Sequence, residues 1–189
     1  MYFSNYIRAG KDDKMKNMLK THKMMLLETW YTFQVNIKKR HSDLENELND
    51  VNIATIEVSP LHLAILSKQG SCIDCILEEI KSICALNEFH EAAYISSLAR
   101  FLEAKVAVKF PSDNGMLYND EDRMLDGMNI LHLAAKYHPD GLQRIICFAQ
   151  KDKRIFKIVK DVLLIGKDDQ IRNTPLHVAA SSSNVSPLR

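Results

Sequence analysis

One seven-residue pattern occurs three times in this chain. Thr-Pro-Leu-His-Val-Ala-Ala fills positions 174 to 180, Ser-Pro-Leu-His-Leu-Ala-Ile positions 59 to 65, and Asn-Ile-Leu-His-Leu-Ala-Ala positions 129 to 135. Leu, His and the first Ala keep their places, as Leu61, His62 and Ala64, then Leu131, His132 and Ala134, then Leu176, His177 and Ala179. Such self-similarity constrains the fold more tightly than composition does. Each copy must form the same local structure, and the copies must bury their apolar faces on one another.

The heptad reads as a helix start. The hydroxyl oxygens of Ser59 and Thr174 can accept from a free backbone N–H, and Pro60 and Pro175 at the first helical position lose nothing by lacking one. Leu176, Ala179 and Ala180 then stand at i, i+3 and i+4 on one helical face, with alanines small enough to admit a neighbouring helix closely. A histidine at the same place in each copy is better explained by a hydrogen bond to the backbone of an adjacent unit than by ligation or catalysis. No catalytic, cofactor-binding or metal-ligating residue is therefore expected among the heptads.

These heptads resemble those that open each ankyrin repeat, a unit of β-turn plus two antiparallel helices. Asp50, Val51 and Asn52 stand where the family's turn precedes Ser59, and Gly127 lies just before Asn129. The sequence departs from the pattern at Asn129 and Ile130, and at Arg172, where the family usually has glycine. The resemblance implies an all-α ankyrin-repeat solenoid of helix-turn-helix units. It also implies a partner protein met by the turns and first helices, at Glu57, Val58, Asp126, Met128, Gln170 and Arg172. Asp126 and Gly127, followed at long spacing by Thr-Pro-Leu-His, are similar to the early repeats of the inhibitors that retain Rel-type (NF-kappa-B) transcription factors. On that reading the acidic knot Asp120 to Asp122 would face basic residues of the factor. The spacing here is longer than in those inhibitors, and no serine pair of degron type stands near the N-terminus. A transcriptional regulator containing ankyrin repeats is the comparable reading.

The spacing of the heptads sets the expected organisation. The first two begin 70 residues apart, leaving room for one unrecognised repeat, and the next begins 45 residues later, longer than one period of about 33. Insertions are expected near 85–126 and 150–166. Residues 1–50 read as a degenerate N-terminal repeat or helical cap with a polar face of Lys11, Lys14, Lys16, Lys20 and Lys23, and 51–189 as the repeats proper. The apolar run from Met24 to Val35, with Trp30, is expected to continue a helix or to cover the second one. After the second heptad, Ile155 to Leu164 predicts either an extended second helix or an extra one. The last repeat reads as incomplete, with no second helix to cover Leu176 and Ala180, which suggests a fragment or an end that a partner covers.

Composition excludes little further. The formal net charge is +1, with 46% hydrophobic and 26% charged residues, which gives no global drive toward nucleic acid. No stretch approaches a membrane span, and no secretory segment is visible. The four cysteines, Cys72, Cys75, Cys84 and Cys147, sit among apolar residues and read as reduced thiols of a cytoplasmic protein, with the nucleus as the other compartment. Cys72 and Cys75 form a Cys-x-x-Cys pair that carries the rival reading, a metal- or redox-dependent protein, but two further ligands are missing nearby. No glycine-rich phosphate loop, nucleophile elbow or His-Glu-x-x-His is present. The sequence thus points to a non-enzymatic protein–protein interaction module without cofactor.

Overall fold

A computed structural model describes residues 2–21, 31–37, 52–85, 98–109, 125–166 and 172–181. Within them the chain is mostly helical, with a small three-stranded sheet. In chain order the elements are α1 (Tyr2–Arg8), α2 (Asp12–Thr21), β1 (Tyr31–Ile37), β2 (Asn52–Val58), α3 (Pro60–Leu66), α4 (Gly70–Ala85), β3 (Ala107–Lys109), α5 (Ile130–Tyr137), α6 (Pro139–Gln150), α7 (Lys153–Ile165) and α8 (Pro175–Ser181). Residues 98–103 are also helical.

Each heptad opens a helix, because its first residue caps the helix it precedes. The side chain of Ser59 accepts from the backbone N–H of His62, with Pro60 at the first helical position. Asn129 does the same for Leu131 and His132 through Oδ1, at 3.0 Å each. Helices α1 and α3 share one ending. Lys11 N–H donates to Tyr6 O and Gln69 N–H to Ala64 O, both at 2.9 Å, while Gly10 and Lys68 donate to Ile7 O and Ile65 O. Gly10 and Lys68 adopt left-handed φ of +64° and +54°, the conformation that closes a helix and turns the chain back. The pair α1 and α2 therefore turns like α3 and α4, although it lacks a heptad.

The helices pack in two rows. Helices α1, α3, α5 and α8 follow one another in the first row, and α2, α4, α6 and α7 in the second. The pairs α1/α2, α3/α4, α5/α6 and α8/α7 also pack across the rows. Helix α7 thus takes the second-row place beside α8 although it precedes α8 in sequence. The long interval between the second and third heptads is this separate helix, started by Asp152, whose side chain accepts from Arg154 N–H at 2.9 Å. A continuous core joins the units, including Phe3, Met15, Leu61, Ile76, Leu131 and Val159.

The small sheet is an addition to a mostly helical chain, which is compatible with the all-α expectation. β1 pairs antiparallel with β2 from Tyr31↔Val58 to Ile37↔Asn52, and β2 with β3 from Thr55↔Lys109 to Glu57↔Ala107. Residues 31–35, expected within the apolar run to continue a helix or to cover the second one, form a strand instead: Tyr, Thr, Phe, Gln, Val alternate with the period of a strand with one covered face. Phe3 of α1 stacks on Tyr31 at 6.5 Å between centroids, and the Arg8 guanidinium lies 3.9 Å from the centroid of the Phe33 ring. These contacts hold the sheet against the first helix. Trp30 and the acidic knot at Asp120 to Asp122 lie outside the described residues.

Candidate functional site

The three histidines come first, because they are the chemically capable groups that the sequence repeats. His62 is fully buried. Its Nε2 lies 3.1 Å from the carbonyl oxygen of Ala104, which can only accept, so Nε2 carries the proton. Nδ1 is then the acceptor for the Ser59 hydroxyl at 2.6 Å and for the Ser59 backbone N–H at 3.3 Å. His132, also fully buried, places Nε2 2.8 Å from the carbonyl oxygen of Asn173. Each of these two rings thus binds backbone about forty residues ahead, next to or beyond the following helical unit. His177 repeats the near half of the arrangement, with the Thr174 hydroxyl 2.7 Å and the Thr174 N–H 3.2 Å from Nδ1. Its ring is exposed.

A serine hydroxyl against an imidazole is also the geometry of an activated nucleophile. Here Ser59 is 1% exposed, so no substrate reaches its oxygen. Burial pushes the His62 pKa down to about 3, partly opposed by the bond to Ala104. A base that weak takes up little proton at neutral pH. The arrangement joins one unit to the next.

Around the histidines, Ser59, Pro60, Leu61 and Ala64 are buried, as are Leu131, Ala134, Thr174 and Pro175. Leu176 is 39% exposed and Ala179 half-buried, whereas Val178 turns inward. The buried edge of α8 is therefore formed by Pro175 and Val178 rather than by the Leu176 face read from the sequence.

The residues expected to meet a partner separate into groups. Val58 and Met128 are buried, at 1% and 2% exposure, and are corrected from contact surface to core. In β2 the alternation turns Ala54, Ile56 and Val58 inward, and the backbone of Met128 accepts from Val106 N–H at 2.9 Å. Glu57 faces outward and pairs with Lys109 of β3. Asp126 accepts from the Val108 N–H at 3.0 Å, so it fastens the segment before Asn129 to β3. Arg172 is exposed, with φ +57°. Gln170 lies outside the described residues. Sequence reasoning missed Lys109 and the β1 side chains Thr32 and Gln34, which are exposed on the same sheet; the strand alternation was the signal that locates them.

The cysteine pair behaves as core. Cys72 and Cys75 are buried on α4, and burial raises both thiols, Cys75 to about 11. A reactive cysteine needs the opposite shift, toward thiolate. The Cys84 side chain lies outside the described set, and no group of three or more potential metal ligands converges among the described residues.

A groove of about 520 Å³ runs between α4 and α6, lined by Asp74, Leu77, Glu78, Arg144, Cys147 and Phe148 among others. Arg144 pairs with Asp74, and Lys151 with Glu78 at 3.5 Å, so its charges are largely satisfied across the second row. No described helix is long and apolar enough to cross a membrane. No family model, curated protein or solved structure matches the chain.

Proposed function

We propose that this chain is a non-enzymatic protein-binding module of ankyrin type, a scaffold or regulator that meets another protein through the segments before its heptads. The observation that carries the reading is the histidine joint. The residue repeated with most chemistry in its side chain is used, at His62 and His132, to tie a helix to backbone some forty residues ahead. A repeat whose invariant polar group serves stacking leaves recognition to the variable residues beside it.

Those variable residues lie on the outward side of the sheet and before α8. β2 runs directly into Ser59, β3 is fastened to the segment before Asn129, and Arg172 precedes Thr174. Exposed Thr32, Gln34, Lys109 and Arg172, with the Glu57 carboxylate, offer a mixed polar surface on a covered scaffold, the usual division between a rigid support and its binding segments.

The test is Glu57→Lys combined with Arg172→Glu, compared with the unaltered chain in affinity capture from cell lysate followed by mass spectrometry. Loss of a specific protein, with the thermal transition unmoved, supports the reading. Capture of the same proteins by both versions removes this surface from it. Recovery of a Rel-type transcription factor lost in the variant would select the inhibitor form of the proposal.

A further inference from the structure

The large apolar side chains exposed among the described residues are Phe156, Leu164, Ile165 and Leu176, and all four belong to α7 or α8. On α7 the division is sharp. Ile155, Val159 and Val162 are buried, whereas Lys153, Phe156, Lys157, Lys160 and Leu164 are exposed. The spacing i, i+3, i+4, i+7 and i+11 sets these five in one stripe opposite the buried face. Lys153, Lys157 and Lys160 have no ion-pair partner among the described residues.

The neighbouring members of the same row show how such charges are met when a helix lies alongside. Helix α4 presents Asp74 and Glu78, one helical turn apart, to Arg144 of α6 and to Lys151 just past its end. The outer stripe of α7 offers the basic half of the same arrangement with its acidic half open.

We propose that this stripe is a docking surface for an acidic amphipathic helix of another protein. Carboxylates at i, i+4 and i+7 of the incoming helix meet Lys153, Lys157 and Lys160, and apolar residues beside them cover Phe156 and Leu164. The inference rests on the reading of the chain as a protein-binding stack, but it uses a surface apart from the segments before the heptads. A lipid surface is disfavoured by the same geometry. An interfacial helix sinks its whole apolar face into the membrane, whereas α7 turns Ile155, Val159 and Val162 to the core and flanks its outer stripe with exposed Asp161.

The probe is a fluorescein-labelled amphipathic peptide with glutamates at i, i+4 and i+7 beside a leucine stripe, titrated into the full chain and followed by anisotropy. A matched peptide with lysine at each glutamate is the control. The expected result is saturable binding of the acidic peptide, at least about tenfold tighter than the control and weakened by salt. Lys157→Glu with Lys160→Glu should weaken it about tenfold and Leu164→Ser should weaken it as well, both with an unmoved thermal transition. Equal binding of both peptides, absence of saturation, or indifference to the α7 substitutions would overturn the inference. So would sedimentation with phosphatidylserine vesicles without peptide binding, or self-association abolished by the same substitutions, which would assign the stripe to lipid or to a second copy. Glu57→Lys with Arg172→Glu should leave peptide binding intact. If that variant loses its lysate partner while α7 binds no peptide, the proposed function stands and only this inference falls.

Discussion

His62 carries the clearest consequence at the scale of single residues. In the folded chain its imidazole stays neutral down to about pH 3, held by burial, whereas an unfolded histidine takes a proton near pH 6.5. Between those values the unfolded chain binds more protons, so stability rises with pH across that window. The contribution is whole above about pH 6.5 and falls by about 1.4 kcal/mol for each pH unit below it. His138 is lowered in the same sense by burial, so the comparison must be between the parent and a His62→Gln variant. Urea unfolding at pH 7, 6 and 5 should show the variant less stable at pH 7, with a pH slope smaller by about one proton. Parallel slopes would mean that His62 is not the neutral joint described here. That a repeated histidine reaches backbone outside its own helix follows from the heptad alone. The carbonyls of Ala104 and Asn173 that receive the bonds do not, because neither lies in a recognisable motif.

At the scale of elements, the turn after α3 holds an unfavourable residue in a favourable architecture. Lys68 occupies the left-handed closing position that glycine fills at Gly10, and a residue with a Cβ there costs about 1 kcal/mol. Lys68→Gly keeps both closing hydrogen bonds, Lys68 N–H to Ile65 O and Gln69 N–H to Ala64 O. It should raise the thermal midpoint by a few degrees, read by circular dichroism, since the steric gain exceeds the added freedom of the unfolded chain. A lowered midpoint would show that the lysine side chain contributes more than its backbone strain costs. Helix starts were legible at Ser59, Asn129 and Thr174 because capping chemistry is local. The strands are not, because the alternation of Tyr31, Phe33 and Val35 is short and merges with the apolar run that precedes it from Met24. The pairing of β1 with β2, and of β2 with β3 some fifty residues on, depends on contacts that no single stretch encodes. The place of α7 is half legible: its apolar spacing predicts either an extended second helix or an extra one, and only the break after α6 and the packing on α6 and α8 make it a separate helix of the second row.

For the whole molecule, two rows of helices that pack mainly on their successors make stability a matter of neighbours. In such a stack a defect spreads outward from the unit that holds it, weakening with distance. Leu131 is fully buried on α5, between α3 and α8 in the first row. Leu131→Asp puts a carboxylate into that core at a cost above about 3 kcal/mol. Leu176, 39% exposed on α8, stands at the partly open face, so Leu176→Asp should cost under about 1 kcal/mol. Amide hydrogen exchange would separate a stack from a single cooperative core. Leu131→Asp should strip protection from α5, α6, α7 and α8 while α1 and α2, tied to α3 and α4 and to the sheet through Phe3 and Arg8, keep more of theirs. Leu176→Asp should disturb α8 and α7 alone. Equal loss at α1 and α8 in the Leu131→Asp variant would mean that the rows unfold as one body, with the sheet and the continuous core outweighing the repeat in setting cooperativity.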